Sequence, residues 1–200
     1  MSALPDWLVP MAATLTEDRF IGPDWIFERK FDGIRLIAFK DEAGVRLYSR
    51  NRLPQQMPAI ADAIAGLPPT HLILDGEVTW DPSTRDARSG QAGPAFHVFD
   101  VLWIDGRSVT ALPLVERQAL LRSLPIVDPL HRVETLDGPA PWDLACAEGW
   151  EGVIAKRRDS IYEHKRSKAW LKMKCPGRVS SSTPDRSAGR SVSITRAGSD

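Results

Sequence analysis

Cysteine is scarce in this sequence of 200 residues: only Cys146 and Cys175 are present, and they do not form a Cys-x-x-Cys pair. This usage excludes a disulfide framework or a zinc ribbon and favours a reducing compartment. The N-terminus lacks the charged and apolar regions of a secretory signal, and no apolar run approaches the roughly 18 residues that a membrane helix needs. We therefore expect a soluble intracellular protein with no membrane partner.

Two common phosphate-binding loops are also missing, because the sequence contains neither G-x-G-x-x-G nor G-x-x-x-x-G-K-[ST]. Net charge is absent as well, since 26 basic residues balance 26 acidic ones. A uniformly basic surface is thus excluded, and any basic patch has to be local.

The chain has enough apolar residues for one domain, with 42% hydrophobic and 26% charged residues. Composition changes after Cys175: the segment 176–200 holds seven Ser and four Arg but no aromatic residue. Such a segment cannot bury enough surface to offset its ordering entropy. We predict a folded domain over residues 1–175 and a flexible tail over residues 176–200.

Strand patterns outnumber helix patterns. Apolar and β-branched runs predict strands at 25–30, 33–40, 45–49, 71–80, 96–104, 151–156 and 169–174. Helices are predicted at 57–65, 113–124 (with an apolar stripe of Val115, Leu120, Leu121 and Leu124) and 142–147. Asp32-Gly33 and residues 41–44 resemble hairpin turns, and 81–94 resembles a polar loop. This order predicts an α+β fold with two largely antiparallel sheets flanked by helices.

The segment Glu28–Arg35, ERKFDGIR, is the densest chemical signal. Lys30 ends a strand, and Gly33 would let the backbone bend close to a ligand. A lysine attacks an electrophile only when neutral, and its ordinary pKa is about 10.4, so it needs burial or nearby cations such as Arg35. Taken alone, Lys-x-Asp-Gly is more typical of a hairpin turn with solvated flanks.

Carboxylates and lysines recur further along the chain. Asp75-Gly76-Glu77 places acidic groups at a strand–turn boundary, and Glu151 precedes a strand that ends in Lys156. In the segment 170–174, WLKMK, strand alternation places the two lysines on one face. Taken singly, these residues are typical of surface salt bridges, but together they suit a divalent cation and a phosphate chain.

The order of these motifs resembles the nucleotidyltransferase (adenylation) domain of ATP-dependent DNA ligases, in particular the bacterial end-joining type. The resemblance runs from residue 9 to residue 175 and extends to a subfamily-like segment, LPLVER, at 112–117. Six segments carry it in order: ERKFDGIR, SRN, LDGE, FHVFDVLW, EGVIAK and WLKMK. It implies the nucleotidyltransferase (ATP-grasp-like) fold shared by DNA ligases and mRNA capping enzymes.

The resemblance also implies roles for individual residues. Lys30 would attack the α-phosphate of ATP, expel pyrophosphate and become a lysyl-adenylate. Glu28 would help to recognise adenine, and Glu77 would hold the ribose hydroxyl. Arg35 and Arg50 would contact the ribose, the phosphates or the 5′-phosphate of DNA.

The remaining roles concern the base, the metal and the phosphate charge. Phe99 would stack on one face of adenine while Val153 packs against the other, although the pattern alone makes Phe99 a core residue. Glu151, with Glu77, would bind Mg²⁺ or Mn²⁺. Lys172 and Lys174 would neutralise the α-phosphate.

Particular sequence features distinguish the implied family from related nucleotidyltransferases. RNA ligases commonly lack the arginine at position 35, and the 29 residues before Lys30 leave no room for the extra domain of NAD-dependent ligases. GTP-dependent capping enzymes keep that arginine and remain an alternative, although LPLVER argues against them. A degenerate nucleotide-binding module without turnover is the non-enzymatic alternative.

Two departures from the family pattern concern the loop before FHVFD and the C-terminus. The loop lacks a usual short helix, and the tail does not resemble the OB-fold domain that follows in family members. We read the tail as a truncation or frameshift, and expect impaired adenylation and nick sealing without that domain.

Residues 156–178 hold nine Lys or Arg, a local excess that suits phosphate contacts with nicked double-stranded DNA. The implied setting is the cytoplasm, at the nucleoid, with possible DNA-repair partner proteins.

Overall fold

The structure is a computed structural model that describes residues 4–85 and 92–177. Within these ranges the chain forms ten strands and three helices. The strands are β1 (Ala12–Leu15), β2 (Trp25–Lys30), β3 (Ile34–Asp41), β4 (Gly44–Ser49), β5 (Leu72–Arg85), β6 (Ala92–Ile104), β7 (Arg107–Ser108), β8 (Leu130–Arg132), β9 (Gly152–Arg157) and β10 (Arg166–Lys174). The helices are α1 (Pro58–Ala65), α2 (Leu114–Ser123) and α3 (Pro141–Ala147).

The strands form two sheets. One has four strands in the order β1-β10-β9-β2, and the other has six, with β4-β3-β5-β6-β7 in order and β8 beside β6. Pairing is antiparallel except for β1 with β10 and β8 with β6. The predicted α+β class with largely antiparallel sheets is confirmed, and the three predicted helices agree with the structure to within one residue at each end.

Strand alternation sorts the apolar residues into layers. In β3, Leu36 packs in a core with Ile60 of α1, whereas Ile37 points the opposite way, into a core that contains Trp170 of the four-stranded sheet. On the far side of that smaller sheet, Val153 packs in a third core with Ala145 of α3. The space between the two sheets is therefore lined by one face of each.

The Asp32-Gly33 segment is not a hairpin turn, contrary to the sequence prediction. It connects β2 of the four-stranded sheet to β3 of the six-stranded sheet, so it crosses between layers. Glycine is needed there because a Cβ on Gly33 would lie 2.0 Å from the carbonyl oxygen of Val78 in β5. The close approach that the structure shows is to a strand. The turn before Gly44 does close a hairpin, between β3 and β4.

Two predicted boundaries are also corrected. Strands β5 and β6 extend into the predicted loop 81–94: β5 ends at Arg85 and β6 begins at Ala92. Of that loop, residues 86–91 lie outside the described ranges. As a result, the Asp75-Gly76-Glu77 segment lies within β5 rather than at a strand–turn boundary. On α2 the predicted apolar stripe is buried in part, through Leu121 and the following Leu124, but the buried face also includes the polar residues Arg117 and Gln118.

The two cysteines form a disulfide that joins α3 to the residue after β10. The sequence analysis excluded a disulfide framework and did not anticipate this bridge. The Cys175 amide also donates a hydrogen bond to the Glu151 carbonyl oxygen at 3.0 Å, so the end of β10 is tied to the start of β9. Of the helices described, none is both long and apolar enough to cross a bilayer.

Arg117 anchors α2 through a buried ion pair. Its Nε and Nη2 donate to the two carboxylate oxygens of Asp100 at 2.8 and 2.9 Å, and neither side chain is exposed. Nη1 donates to the carbonyl oxygens of Leu112 and Ser160. The guanidinium thus joins α2, β6 and the segment after β9.

Replacing Arg117 by Leu is expected to lower the free energy of unfolding by about 3–5 kcal/mol, because the Asp100 carboxylate stays buried without its partner. Urea unfolding measures this change. The matched control is Arg157→Leu, which removes an exposed ion pair with Asp159 and should leave the urea midpoint almost unchanged. Equal losses in the two variants would contradict the prediction.

Candidate active site

The candidate site lies on the face of the four-stranded sheet that is turned toward the six-stranded sheet. Alternate residues of β2, β9 and β10 share this face. The antiparallel register arranges them in three cross-strand rows: Lys30, Gly152 and Lys174; Glu28, Ile154 and Lys172; Ile26, Lys156 and Trp170. The prediction that Lys172 and Lys174 share a face agrees with this register.

Glu151 bridges two of the predicted lysines. Its Oε2 forms an ion pair with Lys30 Nζ, and its Oε1 lies 3.0 Å from Lys174 Nζ. The Glu151 side chain is only 3% exposed, whereas that of Lys30 is 18% exposed and can be reached by a ligand. Lys30 Nζ also donates to the Phe31 carbonyl oxygen at 3.3 Å.

Gly152 makes this row possible. Its φ is +150°, and a Cβ there would lie 2.0 Å from the carbonyl oxygen of Met173. A larger residue would push β9 and β10 apart. Because Gly152, the central residue of the row, has no side chain, no side chain from β9 lies between Lys30 and Lys174.

Glu77 faces Lys30 from the six-stranded sheet. Burial raises the pKa of Glu77 to about 7, although the charges of Arg35 and Lys30 oppose the rise. The Gly33 amide donates a hydrogen bond to the Glu77 carboxylate. Lys30 thus forms an ion pair with Glu151 and interacts with the charge of a second carboxylate, Glu77 of β5.

Lys172 belongs to the same cluster of charges. Burial lowers its pKa, and the nearby cations Lys30, Arg166 and Lys174 lower it further. The structure therefore brings Lys30, Glu77, Glu151, Lys172 and Lys174 together, as the sequence analysis expected of a phosphate site.

Arg35 is held by a partner that the sequence analysis did not assign to it. Its Nη2 donates to Asp75 Oδ2 at 2.6 Å and to the Met11 carbonyl oxygen at 3.1 Å. The Tyr162 hydroxyl donates to the same Asp75 oxygen at 2.6 Å. This network fixes the guanidinium 4.6 Å over the Phe99 ring.

Glu28 is almost fully buried, at 2% exposed. Its Oε2 lies 2.6 Å from Lys156 Nζ, and its Oε1 accepts a hydrogen bond from Gln118 Nε2 at 2.8 Å. Lys156 Nζ also lies 4.3 Å from the ring centres of both Phe99 and Trp170. Gln118, Lys156 and Trp170 were not among the predicted site residues.

Two predicted residues lie apart from this cluster. Val153 points to the opposite face of β9, where it is fully buried with Phe27 and Met173. Its predicted role against the base is therefore wrong by strand alternation, and Ile154 is the β9 residue on the correct face. Arg50 is exposed in the turn that follows β4.

The raised pKa of Glu77 predicts a pH-dependent stability. The folded pKa of about 7 lies above the usual value near 4.3, so this group favours folding most below pH 4 and the contribution is lost as the pH rises through 7. Glu77→Gln is therefore expected to increase the free energy of unfolding above pH 7 by about 1–3 kcal/mol, with no gain at pH 4.

Urea unfolding at pH 4, 6 and 8 measures the difference between wild type and variant. Glu17→Gln, at an exposed position, is the control and should give the same difference at each pH. A Glu77→Gln effect that does not change with pH would contradict the prediction.

Comparison with known sequences identifies relatives over most of the chain. A family model described as "ATP dependent DNA ligase domain" matches residues 10–174. The Mycobacterium tuberculosis multifunctional non-homologous end joining DNA repair protein LigD is 36% identical over 182 residues, covering 84% of this chain and 24% of that protein. The Bacillus subtilis SPbeta prophage-derived DNA ligase-like protein LigB is 33% identical over 82% of this chain and 66% of its own length. The chain thus spans about a quarter of the end-joining relative.

Solved structures agree with the sequence relatives. The structure of mycobacterial DNA ligase D complexed with ATP and MES has a TM-score of 0.65 and 32% identity, and it covers 84% of this chain and 60% of that one. Chlorella virus DNA ligase-adenylate, at 19% identity and a TM-score of 0.60 over 82% of this chain and 68% of that one, shares the fold. On the family match over residues 10–174 and the six ordered motifs, the chain belongs to the ATP-dependent DNA ligase domain family.

Proposed function

We propose that this chain is the adenylating unit of an ATP-dependent DNA ligase. The neutral amine of Lys30 attacks the α-phosphorus of ATP, a nitrogen–phosphorus bond forms, and the bond to pyrophosphate breaks. The amine releases a proton to solvent in this step. AMP is then transferred to the 5′-phosphate of nicked DNA: an oxygen of that phosphate bonds to the AMP phosphorus, the nitrogen–phosphorus bond breaks, and the lysine amine is regenerated. The observation that supports this best is the row in which Lys30 and Lys174 flank Gly152, with both ammonium groups paired to the Glu151 carboxylate.

The surrounding charges suit this reaction. Phosphoryl transfer depends mainly on alignment and on neutralising the charge that develops on the phosphate oxygens. Lys172 and Lys174 lie on the same sheet face as Lys30, and we assign to them the α-phosphate. Because strands hold both lysines, their positions do not have to be set at the moment of reaction.

The base would lie between the two sheets. We assign its stacking face to Phe99 and its opposite face to Ile154, which replaces the predicted Val153. Glu28 would accept a hydrogen bond from the exocyclic amino group of adenine. An ionised carboxylate acts only as an acceptor, so in this pose it accepts from the 6-amino group of adenine but would meet a second acceptor in the 6-oxygen of guanine.

The sugar and the phosphates would involve residues of the six-stranded sheet. We assign the ribose hydroxyl to Glu77, which faces Lys30. Arg35 and Arg50 would contact the ribose, the phosphates or the 5′-phosphate of DNA. Arg35 is already fixed by Asp75, whereas the exposed Arg50 is free to approach DNA.

Glu77 and Glu151 would hold Mg²⁺ or Mn²⁺. Carboxylate oxygens are suitable ligands, and Mg²⁺ is commonly bound by one or two carboxylates together with substrate phosphates. No group of three or more acidic, histidine or cysteine side chains lies together within residues 4–85 and 92–177. A metal here would therefore depend on the triphosphate, and it would neutralise phosphate charge when bound.

Nicked DNA would contact the segment from β9 to β10. Arg157, Arg158, Lys165, Arg166 and Lys168 are all exposed there. Such a row of cations binds phosphates without regard to sequence. The relatives named for non-homologous end joining support a role in DNA repair. Repair partner proteins are part of the same proposal.

Lys30→Ala is expected to abolish covalent labelling of the full chain by ATP labelled at the α-phosphate, because no other amine replaces the nucleophile. Labelling with Mg²⁺ present, followed by mass spectrometry for one added AMP, measures this. Lys168→Ala is the control and should keep the wild-type rate. A chain that binds ATP but never gains AMP would be a degenerate binding module, and labelling from GTP alone would indicate a capping-type enzyme.

A further inference from the structure

Gln118 is a buried polar residue that none of the assignments above explains. It is 7% exposed and belongs to α2, a helix outside both sheets. Its Nε2 donates a hydrogen bond at 2.8 Å to Oε1 of Glu28, in β2 of the four-stranded sheet. The two residues are 90 positions apart in the sequence. This is a contact between the helix and the carboxylate to which we assign base recognition.

Helix α2 also contacts β6 next to Phe99, the residue to which we assign base stacking. Arg117, the residue before Gln118, binds Asp100, the residue after Phe99, through two hydrogen bonds. Phe99 and Gln118 also line one shallow cavity together with Thr135. Two consecutive residues of α2 therefore fix the two elements between which the base would lie.

The hydrogen-bonding state of Glu28 decides which base it accepts. Each of its oxygens has one donor partner, Gln118 or Lys156, and each keeps a further lone pair for a ligand. Burial raises the pKa of Glu28, the Lys156 charge opposes the rise, and the Asp100 charge adds to it. Donors on both oxygens favour the carboxylate, which accepts from the 6-amino group of adenine and repels the 6-oxygen of guanine.

We propose that Gln118 is a positioning residue that sets the preference of this site for ATP over GTP by holding Glu28 as an acceptor. The proposal rests on the proposed function, because it takes Glu28 to be the residue that meets the base. Gln118 itself touches Glu28 and not the reacting atoms, so its effect is on nucleotide affinity rather than on the chemical step.

Competition against a fluorescent ATP analogue measures the Kd of ATP and of GTP on the full chain without turnover. For Gln118→Met, which keeps the length but lacks the donor, we expect the ATP Kd to rise about tenfold and the GTP-to-ATP ratio of Kd values to fall by at least as much. In single-turnover labelling, the limiting rate at saturating ATP should stay within about threefold of wild type.

Gln118→Glu is the second variant. A carboxylate beside Glu28 makes the two groups share a proton, which turns Glu28 toward a donor and should lower the GTP-to-ATP ratio further. Gln56→Leu, at an exposed position, is the control and should leave both Kd values unchanged. Circular dichroism and the thermal midpoint check that each variant is folded.

The outcomes separate the two proposals. Wild type that binds no ATP would overturn the proposed function and this inference together. Wild type that binds ATP, with folded Gln118 variants whose GTP-to-ATP ratio is unchanged, would overturn the inference alone. Loss of labelling rate at an unchanged ratio would indicate a merely structural role and would also overturn it.

Discussion

The close backbone approach of β9 and β10 at Gly152 is the constraint on which the site depends. Because that position has no side chain, the strands keep their pairing and bring Lys30 and Lys174 into one cross-strand row. The Glu151 carboxylate, immediately before Gly152, then contacts both ammonium groups. The proposed phosphate site, built in this way, needs no glycine-rich loop, so the absence of both common loop motifs is compatible with the proposal.

The second layer of the site depends on charges buried between the sheets. Lys156 contacts Glu28, Phe99 and Trp170, and thus joins residues of both sheets. A buried ammonium is stable only with such partners, since an unpaired charge is costly to bury. The same residues that stabilise the space between the sheets therefore also fix the shape of the proposed base site.

Local patterns in the sequence predicted the fold class, the helices and the residues that surround Lys30. Alternation in the segment 170–174 was enough to place Lys172 and Lys174 on one face. The same rule, applied to β9, would have favoured Ile154 over Val153, so that error was avoidable. The Asp32-Gly33 crossover was not predictable from a turn motif, because a turn does not specify which sheet the next strand joins.

Other contacts were beyond reach of a single sequence because they join distant positions. Tyr162 and Asp75 are 87 positions apart, and Gln118 and Glu28 are 90 apart. No spacing rule links such residues, since their proximity follows from how the helices and sheets pack. Residue type does not mark the buried face of α2 either, because Arg117 and Gln118 are buried whereas Glu116 and Arg122 of the same helix are exposed.

The cross-link between Cys146 and Cys175 divides the site in a way that the order of motifs does not suggest. It closes a ring of chain, 29 positions from end to end, that contains Glu151, Lys156, Lys172 and Lys174. Lys30, Glu77 and Phe99 lie outside this ring. When the molecule opens locally, the segment that carries Glu151, Lys172 and Lys174 stays tethered to itself, whereas β2 can separate from it together with Lys30.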